Sequence, residues 1–362
     1  MAYKTSDNNY GTAKWIVDAT AGQGSHTTIA SALTDASSGD TIFIRPGTFT
    51  ENLTLKAGVN LAAYSCDAYT PNVTIVGKCS YSSAGSVSIS GIRLKTNSDF
   101  FLSVTGSAAS IVNLSNCFLE VANNTGIQFT SSSSSAEIKV AYCTADTGTT
   151  GISYFTDSSS GTLSFVYCEC LNTGASSTAS TKSAGLLNIK FCTYRLPVTY
   201  SSSNSNSNSF CSLISTASTN STFLTTSGTG TFTINQSNVA TGTATSISVG
   251  SGTSVNSNFS TYNSSNASVV SGSGTFSFTC NAFSGTSDVV SSTTVNTGNT
   301  VALGQPQIAN AVYVLSNSGS PSGSVTAAKG SMYLRTDGSS SSTRAYSNTN
   351  SGTTWTSFTT AS

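Results

Sequence analysis

From residue 87 onward the chain repeats one short phrase: an apolar residue, any residue, an apolar residue, two of any kind, then a residue that is usually small. Val87, Ile89 and Ile92 carry it first, followed by Val112, Leu114 and Cys117, by Ile138, Val140 and Cys143, by Leu163, Phe165 and Cys168, and by Leu187, Ile189 and Cys192. It continues more loosely through Cys211, Leu213 and Thr216, then Phe232, Ile234 and Ser237, then Val255, Ser257 and Ser260, then Phe276, Phe278 and Asn281. The last positions step by 25, 26, 25, 24, 24, 21, 23 and 21 residues. Alternating short strands separated by Gly, Ser and Asn turns, at a period of roughly 20 to 27 residues, are what one coil of a three-faced parallel β-helix requires. Equivalent residues then stack at the inter-strand spacing of roughly 4.8 Å, so nine coils make a rod of roughly 40 Å. Leucine-rich repeats share the period, but the strand-flanking Leu pattern is missing and no helical segment lies between the strands. A narrow interior asks for small residues where each strand turns and larger ones mid-strand, so Cys117, Cys143, Cys168 and Cys192 read as an internal stack of thiols. Parallel side-chain vectors suit the dihedral of a disulfide poorly, and free thiols are expected.

Composition bounds the partners. Only 8% of the 362 residues are charged, 14 basic against 14 acidic, with no basic cluster to neutralise phosphate. Nucleic acid and an anionic membrane surface are therefore disfavoured as partners, and no apolar run long enough for membrane insertion occurs. The amino terminus lacks the apolar core of a secretory signal, so a protein working outside a cell would leave by another route, such as release with virus particles at lysis. Nine cysteines without a CxxC pair indicate neither a zinc site nor a small disulfide scaffold. No cofactor or metal is expected. Ser-rich stretches such as 131–135 and 201–209 read as loops.

The amino-terminal end has its own logic. Thr27 to Thr34 places Ile29, Ala30 and Leu33 on one face of a short helix, Ala36 to Asp40 makes a turn, and Thr41 to Ile44 a strand, followed by the turn Arg45-Pro46-Gly47. The segment SALTDASSGDTIFIRPGTFTENLTLKAGVNL resembles the first coil of the pectin-lyase-like superfamily, in which a short helix plugs the barrel before a G-D-T-I-x-I-x-P-G-x-F-x-E entry. The likeness is close over Ile29 to Leu61 and holds beyond that only by pattern. It implies an all-β fold, a right-handed parallel β-helix with an N-terminal helical cap. It says little about function, because esterases, lyases, hydrolases and non-catalytic phage spikes share it.

Catalysis on such a fold needs paired carboxylates, or Asp clusters that bind Ca²⁺ beside a basic residue. Three residues beyond the small position, successive coils carry Lys95, Glu120, Asp146, Leu171 and Arg195. Glu120 and Asp146 on adjacent coils, with Arg195 further along, are the catalytic candidates. The competing reading is a surface ladder in which Lys95 pairs with Glu120, worth little to stability. Esterase, polygalacturonase and lyase signatures of the family are missing. His26, the single histidine, reads as packing or hydrogen bonding at the helix start, and Asp18 and Asp40 as turn or capping residues. Gly22-Gln23-Gly24 lacks the Lys and Ser or Thr that would make it a phosphate cradle.

After about residue 290 the period breaks. Val301 to Leu315 reads as one or two apolar strands, and residues 323–362 as a compact set of short strands with turns at Asp337-Gly338 and Asn350 to Gly352. The runs Gly330 to Gly338, Thr343 to Tyr346 and Thr353 to Trp355 resemble a small module at the carboxy end of phage and giant-virus tail or fibre proteins, which implies a β-structured tip or assembly element, usually homotrimeric. Tyr333, Arg335, Asp337 and Trp355 are its assembly candidates. The alternative is that Met332, Tyr333, Leu334, Tyr346, Trp355 and Phe358 simply form the core of a unit of roughly 40 residues, too small to stand without partners.

The expected organisation is a cap at 1–40, a β-helix of roughly nine or more coils at 41–290, connecting strands and linker at 291–322 and a small C-terminal β module at 323–362. The function expected is that of a non-enzymatic structural or adhesive protein on a virion or extracellular appendage, a tail spike, fibre or decoration protein that meets other virion proteins and host-surface glycans. Aromatics in the coil turns, Tyr142, Tyr154, Phe155, Tyr167 and Tyr194, are candidates for glycan stacking or for trimer packing. The rival functions are a polysaccharide depolymerase and a self-assembling extracellular filament.

Overall fold

The computed structural model describes residues 15–359 apart from the segments 66–70, 97–98, 123–124, 147–152, 172–178, 195–197, 202–207, 212–213, 217–221, 242–244, 265–269, 280–281, 285–287, 291–293, 298–306 and 309–313. Between Trp15 and Ile308 the described strands fall into three parallel sheets, of thirteen, eleven and twelve strands, called here the first, second and third. The chain visits them in rotation, one strand each, and every pairing is parallel to the strand one coil away, as in Val112 opposite Val87 and Ile138, which makes the fold a right-handed parallel β-helix. Thirteen strands at the usual spacing span roughly 58 Å.

Because each coil repeats the register of the last, like side chains stack. In the first sheet Ile42, Leu61, Ile89, Leu114, Val140, Phe165 and Ile189 stand directly opposite one another in turn, all buried. In the second sheet Phe49, Ile75, Leu94, Leu119, Ala145 and Cys170 do the same. Alternate residues of each strand point outward, so period 2 in the sequence becomes an inner and an outer face. Burying each Leu, Ile or Phe contributes about 1.5–3 kcal/mol, and the column repeats that gain coil after coil.

The cysteines sit where the chain turns from the first sheet into the second. Cys117, Cys143, Cys168 and Cys192 are buried and unbridged, and the Cys117 and Cys168 backbone N–H groups donate to the sulfurs of Cys143 and Cys192 at 3.3 Å. The repeat reading slips in one coil. Phe210 lies opposite Ile189 on one side and Ile234 on the other, so Phe210, not Leu213, takes the place of Leu114, three residues earlier than the pattern suggested.

The entry motif folds as a capped helix. The helix Ile29–Asp35 starts at Thr28, whose hydroxyl accepts from the Ser31 N–H, and buries Ile29, Ala32 and Leu33 against the first coil. Glu51 reaches back from beyond the strand Gly47–Thr50 to accept the Ile29 and Ala30 N–H groups at 3.0 and 2.9 Å. At the other end Lys56 donates to the Thr34 carbonyl at 3.2 Å. Asp40 accepts from the Ser37 N–H and the Trp15 indole, both at 2.8 Å. Trp15–Val17 is already a strand of the first sheet, so the sheet begins within the span read as a cap.

At the far end, Thr294–Thr297 and Gln307–Ile308 extend the first and third sheets past residue 290. Val314–Asn317 opens a separate four-stranded sheet, pairing parallel with Met332–Arg335, which pairs antiparallel with Ala345–Asn348 and that with Trp355–Phe358. Its core is Ala327, Tyr333, Tyr346 and Trp355, with Leu315 and Val325 packed against it. The module therefore starts within the span read as linker. Among the described residues no helix is long and apolar enough to cross a membrane.

Candidate functional site

At seven passages from the first sheet to the second the chain turns through one residue of positive φ. Gly91 has φ 68°, and Asn116, Tyr142, Tyr167, Phe191, Gln236 and Phe259 lie between 47° and 55°. The turn is fixed by the ladder: the Tyr142 N–H donates to Val166 O and the Tyr167 N–H to Lys190 O, both at 3.0 Å, while the next residue drops into the core. Glycine or asparagine would meet this geometry cheaply. For a bulky side chain the left-handed region costs roughly 1–2 kcal/mol per residue.

The side chains held there point into solvent. Tyr142, Tyr167, Phe191 and Phe259 are 59%, 49%, 46% and 63% exposed. Three of them form a continuous ladder. The Tyr142 and Tyr167 rings are 5.2 Å apart and 9° from parallel, and the Tyr167 and Phe191 rings 4.9 Å and 10°. Contacting planes are separated by roughly 3.5–4.0 Å, so these centroid distances require each ring to be slipped by roughly 3–4 Å over the next, the offset arrangement that ring quadrupoles favour. The rings lie like tiles, each leaving a margin of its face bare, over roughly 10 Å or two inter-strand spacings.

Of the residues read from sequence as glycan candidates, Tyr142 and Tyr167 belong to this ladder. Tyr154 and Phe155 do not. Tyr154 is buried with its hydroxyl donating to Leu171 O, and Phe155 is buried 5.8 Å from the Phe165 ring. Both occupy inward positions at the entry to the third sheet, where a strand's first residues face the core. Tyr194 pairs opposite Cys170, and its side chain lies outside the described residues. Phe191 was missed, as was Phe259, although both stand one position before the small residue of the repeat. Aligning that preceding position gives Gly91, Asn116, Tyr142, Tyr167 and Phe191 in a row, which is the signal that would have found them.

The acidic candidates form a different arrangement. Glu120 and Asp146 are register partners on adjacent strands of the second sheet. Both Glu120 oxygens are engaged by cations, Oε1 by Lys95 Nζ at 2.7 Å and Oε2 by Arg93 Nη1 at 3.3 Å. The Arg93 guanidinium also lies 4.6 Å from the Phe118 ring centroid. A carboxylate clamped on both oxygens is poorly placed to protonate a leaving group or attack a sugar. Arg195 lies outside the described residues. His26 bridges Ser25 at 3.1 Å and Asp35 at 3.0 Å beside the Trp15 ring, tying the helix to the first strand. Among the described residues no group of three His, Cys, Asp or Glu is gathered as a metal would need. A shallow depression beside the helix has Lys56 as its one charged lining group, already committed to the helix carboxy end.

In the C-terminal sheet Tyr333 and Trp355 are core residues, their rings 5.7 Å apart. Arg335 and Asp337 form a two-pronged pair at 2.9 and 2.8 Å, and Asp337 also accepts from the Gly319 N–H. The Arg335 contact, followed by the Gly319 N–H, holds the Asp337 carboxyl below the usual range. These four candidates build the module. Among its described residues the exposed large apolar side chains are Met332, Leu334 and Phe358. Leu334, Ala345 and Phe358 lie in register across three strands, on the face opposite Tyr333 and Tyr346.

These features define a parallel β-helix protein whose distinctive surface is a ladder of exposed rings. No family model and no curated protein matches the chain. Among solved structures, a pectin methylesterase crystallised with a hexasaccharide is similar over 67% of this chain and 80% of that one, at 14% identity and a TM-score of 0.36.

Proposed function

We propose that this is a non-enzymatic structural and adhesive protein of a virion surface or extracellular appendage, and that the Tyr142–Tyr167–Phe191 ladder is its glycan contact. The observation that carries the reading is the ladder itself: large rings kept at a backbone conformation that disfavours them and left half bare to solvent. Large rings kept at left-handed backbone positions, stacked on one another and open to solvent, motivate a functional reading of the ladder. Sugars offer apolar C–H faces ringed by hydroxyls, which suit tiled aromatics with tyrosine hydroxyls along their edge. A neutral, polar shaft of this kind resists nonspecific attraction to charged surfaces. Copies joined through the C-terminal sheet, in a homotrimer, would present the ladder several times and bind by avidity. The exposed Met332, Leu334 and Phe358 and the small size of that module support such an assembly.

The test is a polysaccharide array probed with the intact protein, each bound glycan then being assayed for cleavage. Binding without release of reducing ends or unsaturated products is expected. Cleavage that disappears in Glu120→Gln would replace this reading with the depolymerase.

A further inference from the structure

In the third sheet one inward column runs Tyr81, Val104, Phe129, Asp157, Lys182, Tyr200, Thr226 and Val249, each directly opposite the next. Six of the eight are apolar, aromatic or a small hydroxyl. The other two are an acid and an amine on adjacent coils, both wholly buried, with Lys182 Nζ 2.6 Å from Asp157 Oδ2. As an ion pair this is hard to account for, because removing both charges from water costs more than their attraction commonly returns, and apolar residues fill the same column on either side.

The surroundings supply directed donors and acceptors to both groups. The Asp157 Oδ1 atom accepts from the Ser159 N–H at 2.8 Å and the Ser159 hydroxyl at 2.7 Å, two donors aimed at one carboxyl oxygen. Lys182 Nζ donates to Gly161 O at 3.3 Å and lies 3.4 Å from Ser159 Oγ. The Phe129 ring, 5.7 Å away, closes the side toward the preceding coil. Burial pushes the Asp157 carboxyl up and the Lys182 ammonium down, each against the pull of its partner, so both drift toward their uncharged forms.

From this geometry we propose that Lys182 and Asp157 condense to an intramolecular isopeptide bond that staples two adjacent coils. The ammonium first passes a proton to Oδ2, leaving a neutral amine and a neutral acid. With Nζ 2.6 Å from Oδ2, the amine stands at roughly the 3–3.5 Å near-attack separation from Cγ. Its lone pair forms the N–Cγ bond as the carbonyl electron pair moves onto Oδ1, where the two Ser159 donors hold the developing negative charge. A second proton then passes directly from nitrogen to the adjacent Oδ2 hydroxyl. The Cγ–Oδ2 bond breaks, one water leaves, and the Cγ–Oδ1 double bond re-forms. No oxidant or co-reactant is consumed. The six described cysteines are all unbridged, so this bond would supply the shaft with a covalent tie that redox conditions do not break.

The test is the intact mass of the purified full-length protein, followed until it stops changing, with peptide mapping. The bond predicts a mass lower by one water. Trypsin should fail to cut after Lys182, and trypsin with a glutamate-specific protease should yield Val140–Glu169 joined to Cys170–Lys190. Ser159→Ala should slow the loss of water. An unchanged mass with normal cleavage at Lys182, or a loss of water mapped to any other residue, overturns the proposal.

Discussion

Tyr167, held at φ 55°, gives up backbone energy that an asparagine would keep, and what it gains is a stacked neighbour on each side. Offset ring pairs contribute about 0.5–1.5 kcal/mol each, close to the cost of the left-handed backbone. Tyr167→Asn should therefore change thermal stability little, within about 1 kcal/mol, whereas Tyr167→Val, with a β-branched side chain at positive φ, should lower the melting temperature clearly. Equal effects of the two would show that backbone strain does not matter here. The thiols make a second prediction at this scale. Burial pushes Cys79 up to about 12 from 9.0, and a hydrogen bond to Cys117 together with burial pushes Cys143 up as well. Between about pH 9 and 12 the folded chain keeps a Cys79 proton that the unfolded chain has released, so stability falls as pH rises across that window. Thermal melts should drop there, and thiol reagents should label the buried column only after unfolding. Rapid labelling of native protein would contradict the burial.

At the scale of single elements, the first helix is held as much by the following coil as by its own sequence. Glu51→Ala removes the acceptor for two orphan N–H groups and a negative charge at the helix start, and should cost about 1 kcal/mol. A melting temperature equal to the parent's would deny Glu51 that role. This element was largely legible in the sequence, because its signals are local: Ile29 and Leu33 on one face, the glycine turn, then alternating Ile42 and Ile44; Ala30, read onto the same face, is exposed, and Ala32 is buried instead. The shaft was legible for a related reason, since each coil repeats one set of inward positions. The slip at Phe210 came where Ser and Asn dilute that pattern and Cys211 and Leu213 offer a false match. The strand Val314–Asn317 was read as the end of the connecting strands and the start of the linker because its pairing with Met332–Arg335 is not local. Site residues were harder still. Tyr142 and Tyr154 look equally exposed in a turn-rich sequence, and only the position relative to the small core residue separates them. The Asp157–Lys182 pair gave no sequence signal, because inward direction in the third sheet depends on loops of unequal length.

For the whole molecule the shaft, the ladder and the C-terminal sheet make one argument: a rod with few charges, a strip of rings along one edge and an apolar face at one end. Light scattering should give a mass near three times 36.8 kDa, and Leu334→Glu with Phe358→Glu should reduce it to that of one chain. A parent protein that is already monomeric would remove the trimer, and long polymers would favour a filament. The most direct test of the central claim compares the parent with Tyr142→Asn/Tyr167→Asn/Phe191→Asn on the glycan that the parent binds best. Asparagine suits the backbone at all three positions, so the shaft should stay folded while affinity falls at least tenfold, the loss of about 1.4 kcal/mol of contact. Undiminished binding by a folded triple variant, or no glycan binding by the parent, would contradict the account.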